Sequence, residues 1–311
     1  MKAPSLSVVV PVYNSQAILP GLVERLKNVL PQTAESYEVI LVNDGSKDGS
    51  WAAIVDIASR ESFVRGIDLM RNYGQHNALL CGIREAKFDV IVTMDDDLQN
   101  PPEEIPALLA ELEKGWDVVY GVPLHEQHGV WRDLASIITK TALKGAIGAQ
   151  TARKASAFRA LKTRLRDSFQ AYRSPYVSVD VLLTWGTTRF GAVQVRHDAR
   201  LSGPSNYTFW RLVTHASNMM TGFSTWPLQL ASAMGFAMTL FGLAILAYVV
   251  GRYLLQGGGV PGFPFLASII AIFSGAQLFA LGIIGEYLAR MHFRMMDRPT
   301  FAVRSTTETV G

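Results

Sequence analysis

The chain has 311 residues, a formal net charge of +3 and a single cysteine, Cys81. That length allows one large domain or two ordinary ones around a sizeable core. One cysteine excludes an internal disulfide and any thiolate cluster, and so mild a charge, with no basic stripe, speaks against nucleic acid as a partner.

Five short β-rich runs occupy the first part of the chain: residues 6–12 (LSVVVPV), 37–42 (YEVILV), 64–69 (VRGIDL), 89–94 (DVIVTM) and 117–121 (DVVYG). Most of the segments between them have helical length and mixed polarity, a pattern that predicts α/β architecture with βα units around a mostly parallel sheet. In such sheets ligands collect beyond the carboxyl ends of the strands. The polar clusters YNS, NDGS, RNYGQH and DDDLQ follow the first four runs. Four strand ends are therefore expected to border one crevice. Cys81 reads as a small core residue.

Residues 92–106, VTMDDDLQNPPEEIP, set three aspartates where the fourth run ends. If the extended conformation continued through them, alternation would send Asp95 and Asp97 to one side and Asp96 to the other. Two convergent carboxylates make a hard oxygen site suited to Mg²⁺ or Mn²⁺, and Gln99 could add a neutral oxygen. Acidic residues in a turn before a helix also serve structure alone. Asn100 is placed to cap a helix opened by Pro101, with Glu103 and Glu104 favourable in its first turn.

Residues 126–225 are less periodic. VWRDLASIITKTALKGAIG (130–148) and FWRLVTHASNMMTGF (209–223) read as amphipathic helices, the second with Phe209, Leu212, Val213, Ala216, Met219, Met220 and Phe223 at helical spacing. Such a helix can lie in a membrane interface or cover the sheet, and the pattern leaves both open.

Residues 212–251 and 253–285 contain no Asp, Glu, Lys or Arg, and Arg252 alone separates them. Within them, residues 227–250 and 263–285 exceed the roughly 20 apolar residues that a helix needs to cross a bilayer. Core helices of that length usually carry a polar stripe. A transmembrane hairpin is the expectation, with QGGGVPGFP as its turn. Arg196, Arg200 and Arg211 precede it, and Arg290, Arg294, Arg298 and Arg304 follow it. Both ends should then face the cytoplasm at the cell (inner) membrane. The first residues lack the apolar stretch and cleavage site of a signal peptide, which agrees with that orientation. Gly235, Gly242, Gly275 and Gly282 would let the hairpin pack against another copy, a homo-oligomer. The expected organisation is an α/β core at 1–125, a region with amphipathic helices at 126–225, two membrane helices at 226–291 and a cytoplasmic tail at 292–311.

VVVPVYNS, VNDGSKDGS, RNYGQHNALLCGI and VTMDDDLQNPPEEIP, in this order, resemble the inverting glycosyltransferases of the GT-A fold. The terminal hairpin narrows the resemblance to the branch that transfers sugars to polyprenyl phosphate. That resemblance implies a metal-dependent membrane enzyme moving a hexosyl or pentosyl group from a nucleotide-sugar, a UDP-sugar being favoured, to undecaprenyl or another polyprenyl phosphate with inversion. It implies Asp97 and Gln99 as metal ligands, Asp95 near ribose, phosphate or metal, and Asp96 in support. It further implies Asp44 as the reader of the nucleotide base, beside a wall formed by Pro11 and Tyr13, although Asp44 alone equally suits an Asx turn. Arg132, Ser136, Arg200, Ser205 and Tyr207 match positions used around donor and acceptor phosphates, and Arg159 matches as well. Taken alone, Arg132 and Arg200 read as surface charges. A lipid phosphate is already ionised near neutral pH, so positioning matters more than a general base.

The chain also departs from those relatives. Ser15 stands where they usually have Glu, Asn43 where they often have the first acid of a pair, Arg153 where they often have Asp, and Asn206 where many have Lys. Two other functions are weighed: a membrane scaffold or lipid-sugar binding protein without activity, and a processive polysaccharide synthase. The latter normally carries Gln-x-x-Arg-Trp, whereas QAYRS has Ser174 in the last place.

Overall fold

The computed structural model describes residues 5–123, 155–174, 176–198, 226–256 and 262–309. Strands β1 (Ser5–Val12), β2 (Ser36–Asn43), β3 (Val64–Leu69) and β4 (Val90–Thr93) are the first four predicted runs, and they pair in parallel in the order β4-β1-β2-β3. Helices α1 (Leu19–Thr33), α2 (Ser50–Arg60) and α3 (Gln75–Glu85) make the crossovers between them. Side-chain alternation divides β1 between two cores. Val8, Val10 and Val12 pack with α1, α2 and α4 (Ile105–Glu113), while Val9 faces α3 on the other side. All four valines are fully buried, each contributing about 1.5–3 kcal/mol of hydrophobic stabilisation. Helix α3 lies especially close to the sheet. A Cβ on Gly82 would come within 2.3 Å of Val9 Cγ1, so no larger residue fits there.

The sheet continues on each side with a strand of the other sense, β6 (Arg159–Lys162) beside β4 and β8 (Val303–Thr306) beside β3. β5 (Val118–Pro123) is the fifth predicted run; it is separated from β4 by β6 (Arg159–Lys162), which runs antiparallel to both neighbours. Beyond β5 comes β7 (Phe190–Val195), parallel to it, preceded in the chain by α5 (Val179–Gly186). The eight-stranded order is β7-β5-β6-β4-β1-β2-β3-β8. It is a mixed sheet in which the four adjacent strands β4, β1, β2 and β3 are parallel. Cys81 is fully buried in the α3 core, where burial pushes its thiol up to about 12.

Helices α6 (Trp226–Gln256) and α7 (Phe263–Met295) contain the apolar stretches 227–252 and 272–292, with mean hydropathies of 2.1 and 1.4. They pack on each other through Gly242, whose Cβ position is 3.0 Å from the Phe273 ring. Large apolar side chains on both, such as Phe236, Leu255 and Leu278, are exposed. Both helices are long and apolar enough to cross a bilayer, and uncovered apolar faces of this size mark a membrane or partner surface.

Residues 292–311 are not simply a tail. After α7 the chain returns to the sheet and forms β8 (Val303–Thr306), antiparallel to β3 at its outer edge. On the way, Asp297 pairs with Arg173, and Thr300 accepts from Arg84, whose guanidinium also donates to the carbonyls of Phe169, Gln170 and Tyr172. The sequence pattern missed β8 because VRST is polar and short, as an exposed edge strand usually is. It missed β6 for a related reason: RALK carries two cations, which the fold pairs with Asp180 and Asp117.

Candidate active site

The strand order reverses between β1 and β4, since β1's successor lies on one side of it and β4 on the other. Such a reversal opens a crevice at the carboxyl ends of the two strands. Tyr13 and Asn14 follow β1 there, and Asp95, Asp96 and Asp97 follow β4. The extended conformation ends at Thr93, so the aspartates lie on a turn and strand alternation does not direct them. Leu98, at φ 59, reverses the chain just past them.

Each carboxylate has its own partner. Gln75, at the start of α3, donates from Nε2 to Asp95 Oδ1 at 2.5 Å. The Tyr13 amide donates to Asp96 Oδ2 at 3.4 Å. Burial raises the Asp96 carboxyl above its ordinary value; Ser15 and the Tyr13 amide pull it back, and neighbouring Asp97 pushes it up again. Asp97 Oδ1 accepts from the Gln99 amide at 3.1 Å, which stiffens the turn. The expected cap does not form: the helical segment opens with a 3-10 turn at Pro102–Glu104, and Asn100 Oδ1 instead faces His197 Nδ1 at 3.3 Å. Two consecutive prolines shift the helix start away from Asn100.

The second wall comes from β2 and β3. Asp44, 3% exposed, accepts the amides of Tyr73 (2.7 Å) and Gly74 (2.8 Å), one on each oxygen. Burial raises its carboxyl, and those two amides work against the rise. Gly45, at φ +64, permits the turn that follows; its Cβ position is 2.4 Å from the Arg71 carbonyl carbon, so the two loops touch at the backbone. Asn43, just before Asp44, donates to buried Asp68 at 2.6 Å. At the end of β1, Asn14 takes a left-handed φ of 55, and its side chain accepts the Lys47 amide at 2.8 Å. Pro11 is buried in β1, whereas the Tyr13 ring is 45% exposed at the crevice.

Of the residues expected from the sequence, Tyr13, Asp44, Asp95, Asp96, Asp97 and Gln99 lie on the loops past the carboxyl ends of β1, β2 and β4, and Pro11 is the last residue but one of β1. Arg132, Ser136, Arg153, Arg200, Ser205, Asn206 and Tyr207 lie outside the described residues. Arg159 is not a surface ligand: it is 1% exposed, pairs with Asp180 and donates to Thr93 Oγ1 at 3.1 Å. Tyr120 adds its hydroxyl to Asp180 at 2.9 Å. This cluster braces β4 and β6 directly behind the aspartates. Sequence reading overlooked Asp180, which no local motif marks, and Gln75, which sat unread within the cluster RNYGQH.

The family described as glycosyl transferase family 2 matches residues 7–172, which span every strand end of the crevice. The chain belongs to that family. Among curated family members, an undecaprenyl-phosphate 4-deoxy-4-formamido-L-arabinose transferase of Pseudomonas savastanoi pv. phaseolicola is 36% identical over 98% of this chain and 93% of the relative. Its namesake from Shewanella sediminis is 35% identical over 96% of this chain and 91% of its own. Among solved structures, glucosyl-3-phosphoglycerate synthase from Mycobacterium tuberculosis, in complex with Mn²⁺, UDP and glucosyl-3-phosphoglycerate, superposes with a TM-score of 0.53 at 18% identity. It covers 70% of this chain and 78% of that one. This likeness shows the GT-A fold for the family 2 portion of the chain.

Proposed function

We propose that this protein transfers a sugar from a nucleotide-sugar to a polyprenyl phosphate, with inversion, at a membrane surface. The observation that carries the reading is the pairing of a family 2 crevice with an apolar hairpin in one chain, along which the undecaprenyl-phosphate transferases are similar almost from end to end. A UDP-sugar is the favoured donor, and the formamido-arabinose of those relatives is the first sugar to try.

The chemistry asks little of a base. An oxygen of the lipid phosphate attacks the anomeric carbon in line, a new carbon–oxygen bond forms, and the bond to the departing nucleoside diphosphate breaks on the opposite face. This chain's task is to hold both reactants and to stabilise the charge that grows on the leaving group. Asp44 would accept the imide proton of the base, with Pro11 and Tyr13 alongside. Asp97 and Gln99, with Asp95, would supply hard oxygens suited to Mg²⁺ or Mn²⁺, ions that commonly bind through one or two carboxylates plus substrate phosphates. Such an ion would neutralise charge on the diphosphate. Support comes from the solved neighbour, a complex that holds Mn²⁺ together with UDP. Arg132 and Arg200 suit the donor and acceptor phosphates through paired guanidinium donors, with Ser136, Ser205 and Tyr207 completing the acceptor side. Both ends of the hairpin face the cytoplasm in this reading, as the arginine distribution favours.

The test is a donor screen with detergent-purified full-length protein, undecaprenyl phosphate and a panel of UDP- and GDP-sugars, scored by the mass of the lipid product. One donor should give a lipid-linked sugar in Mn²⁺ or Mg²⁺ and none in EDTA. Nucleotide binding without product from any donor would instead favour a binding protein, and would direct attention to Ser15, Arg153 and Asn206.

A further inference from the structure

The strand that follows the apolar hairpin lies on the outer edge of β3 and contacts the end of that strand. Arg304, on β8, donates from Nη1 to Asp68 Oδ2 at 3.2 Å and from Nη2 to the Met70 carbonyl at 2.7 Å. The Met70 amide in turn donates to the Ala302 carbonyl at 2.9 Å. Met70 is the first residue past β3, so both of its backbone groups are held by the post-membrane segment. Asp68 is 1% exposed, and its other oxygen accepts from Asn43. Asn43 also accepts the Ser46 amide through Oδ1 at 3.4 Å, linking the same carboxylate to the NDGS turn.

Loop 70–74 is therefore gripped at two ends. Asp44 takes the amides of Tyr73 and Gly74 on the crevice side, and Arg304 takes the Met70 carbonyl on the outer side. We propose that Arg304 is a positioning residue of the donor site: through Asp68 and Met70 it fixes the Asn43–Asp44 turn and loop 70–74 in the shape that receives the nucleotide. As a stabilising ion pair Arg304 would count for little, because its side chain is 55% exposed. Its effect lies in geometry, since one planar guanidinium joins a buried carboxylate to a loop carbonyl. Lysine, a compact charge without the planar fork, holds the two acceptors in a less fixed geometry. The nucleotide part of this inference rests on the proposed donor function; the loop part does not.

The experiment compares the full-length protein with Arg304→Ala, Arg304→Lys and, as a control on the same post-membrane segment, Glu308→Ala, whose side chain pairs with Lys87 on the surface. Hydrogen exchange is followed at the amides of Tyr73 and Gly74, UDP and GDP binding is measured by calorimetry, and steady-state kinetics are taken with the donor found active. Arg304→Ala should speed exchange at those two amides by about tenfold, the size expected for one lost charge-assisted hydrogen bond. Donor KM should rise by a similar factor, with kcat within about twofold and the KM for polyprenyl phosphate unchanged. Arg304→Lys should fall between wild type and Ala, and Glu308→Ala should match wild type. Unchanged exchange and unchanged donor KM in Arg304→Ala would overturn the proposal, as would the same losses in Glu308→Ala, which would mean only a loosened edge. If the wild type bound neither nucleotide, the donor reading would fall, and the exchange data alone would decide whether Arg304 holds the loop.

Discussion

The amide of Tyr13 and the carboxylate of Asp96 meet at 3.4 Å across the reversal in strand order, joining the end of β1 to the turn after β4. Burial raises the Asp96 carboxyl, so the folded protein holds a proton there more tightly than the unfolded chain does. Between the ordinary aspartate value, about 4, and the raised folded value, the Asp96 contribution to stability falls as pH increases, and it levels off above. Asp96→Asn keeps an acceptor for Tyr13 and removes this slope. Thermal melts from pH 4 upward should show the variant gaining on wild type through that window and holding a constant difference beyond it; parallel curves would refute the buried-acid assignment.

Asp97 stands on the same turn, with one oxygen on the Gln99 amide. Asp97→Ala should lower sugar transfer by at least about 100-fold, the scale of losing one preorganised electrostatic group, with a melting temperature within a few degrees of wild type. Unchanged turnover in Mg²⁺ or Mn²⁺ would remove Asp97 from the metal site.

Asp44 serves architecture before it serves any ligand. Asp44→Ala leaves two amides of loop 70–74 without their acceptor and should cost about 2 kcal/mol, seen as a melting temperature lower by several degrees. UDP affinity should fall in the same variant. Asp44→Asn retains one acceptor oxygen and should lie between the two in stability.

Behind the crevice, Asp180 compensates a guanidinium that is almost wholly enclosed. Removing one partner of such a pair typically costs about 3–5 kcal/mol, because the other charge stays buried. Asp180→Ala should therefore be among the most destabilising single changes in the domain by thermal melt, while Asp180→Asn, which still accepts from Tyr120, should cost less.

The parallel part of the sheet was legible because β1 to β4 are apolar runs ending in turn residues, and their ends do converge as the pattern required. The aspartates of the fourth end were legible as a cluster, but their separate partners were not. Gln75, Ser15 and the Tyr13 amide come from elements distant in sequence, and only the fold brings them to the turn. Asn100 was misread because a local capping rule was applied where Pro101 and Pro102 open a 3-10 turn instead. Strands β6 and β8 escaped because strand formation there is imposed by neighbours: Arg159 becomes a core residue only once Asp180 faces it, and VRST becomes a strand only beside β3.

The placement of β8 also sets an order in time. Asp68 and Arg304 are 236 residues apart in the chain, and at roughly 5–20 residues per second of synthesis the first waits on the order of ten to fifty seconds for the second. Both apolar helices are made within that interval. Until then the outer edge of β3 carries unpaired amides and carbonyls, a template for unwanted strand pairing. The nascent domain at the ribosome is thus a sheet with one side open, and it is closed only by a segment that emerges after the hairpin has had its chance to enter the bilayer.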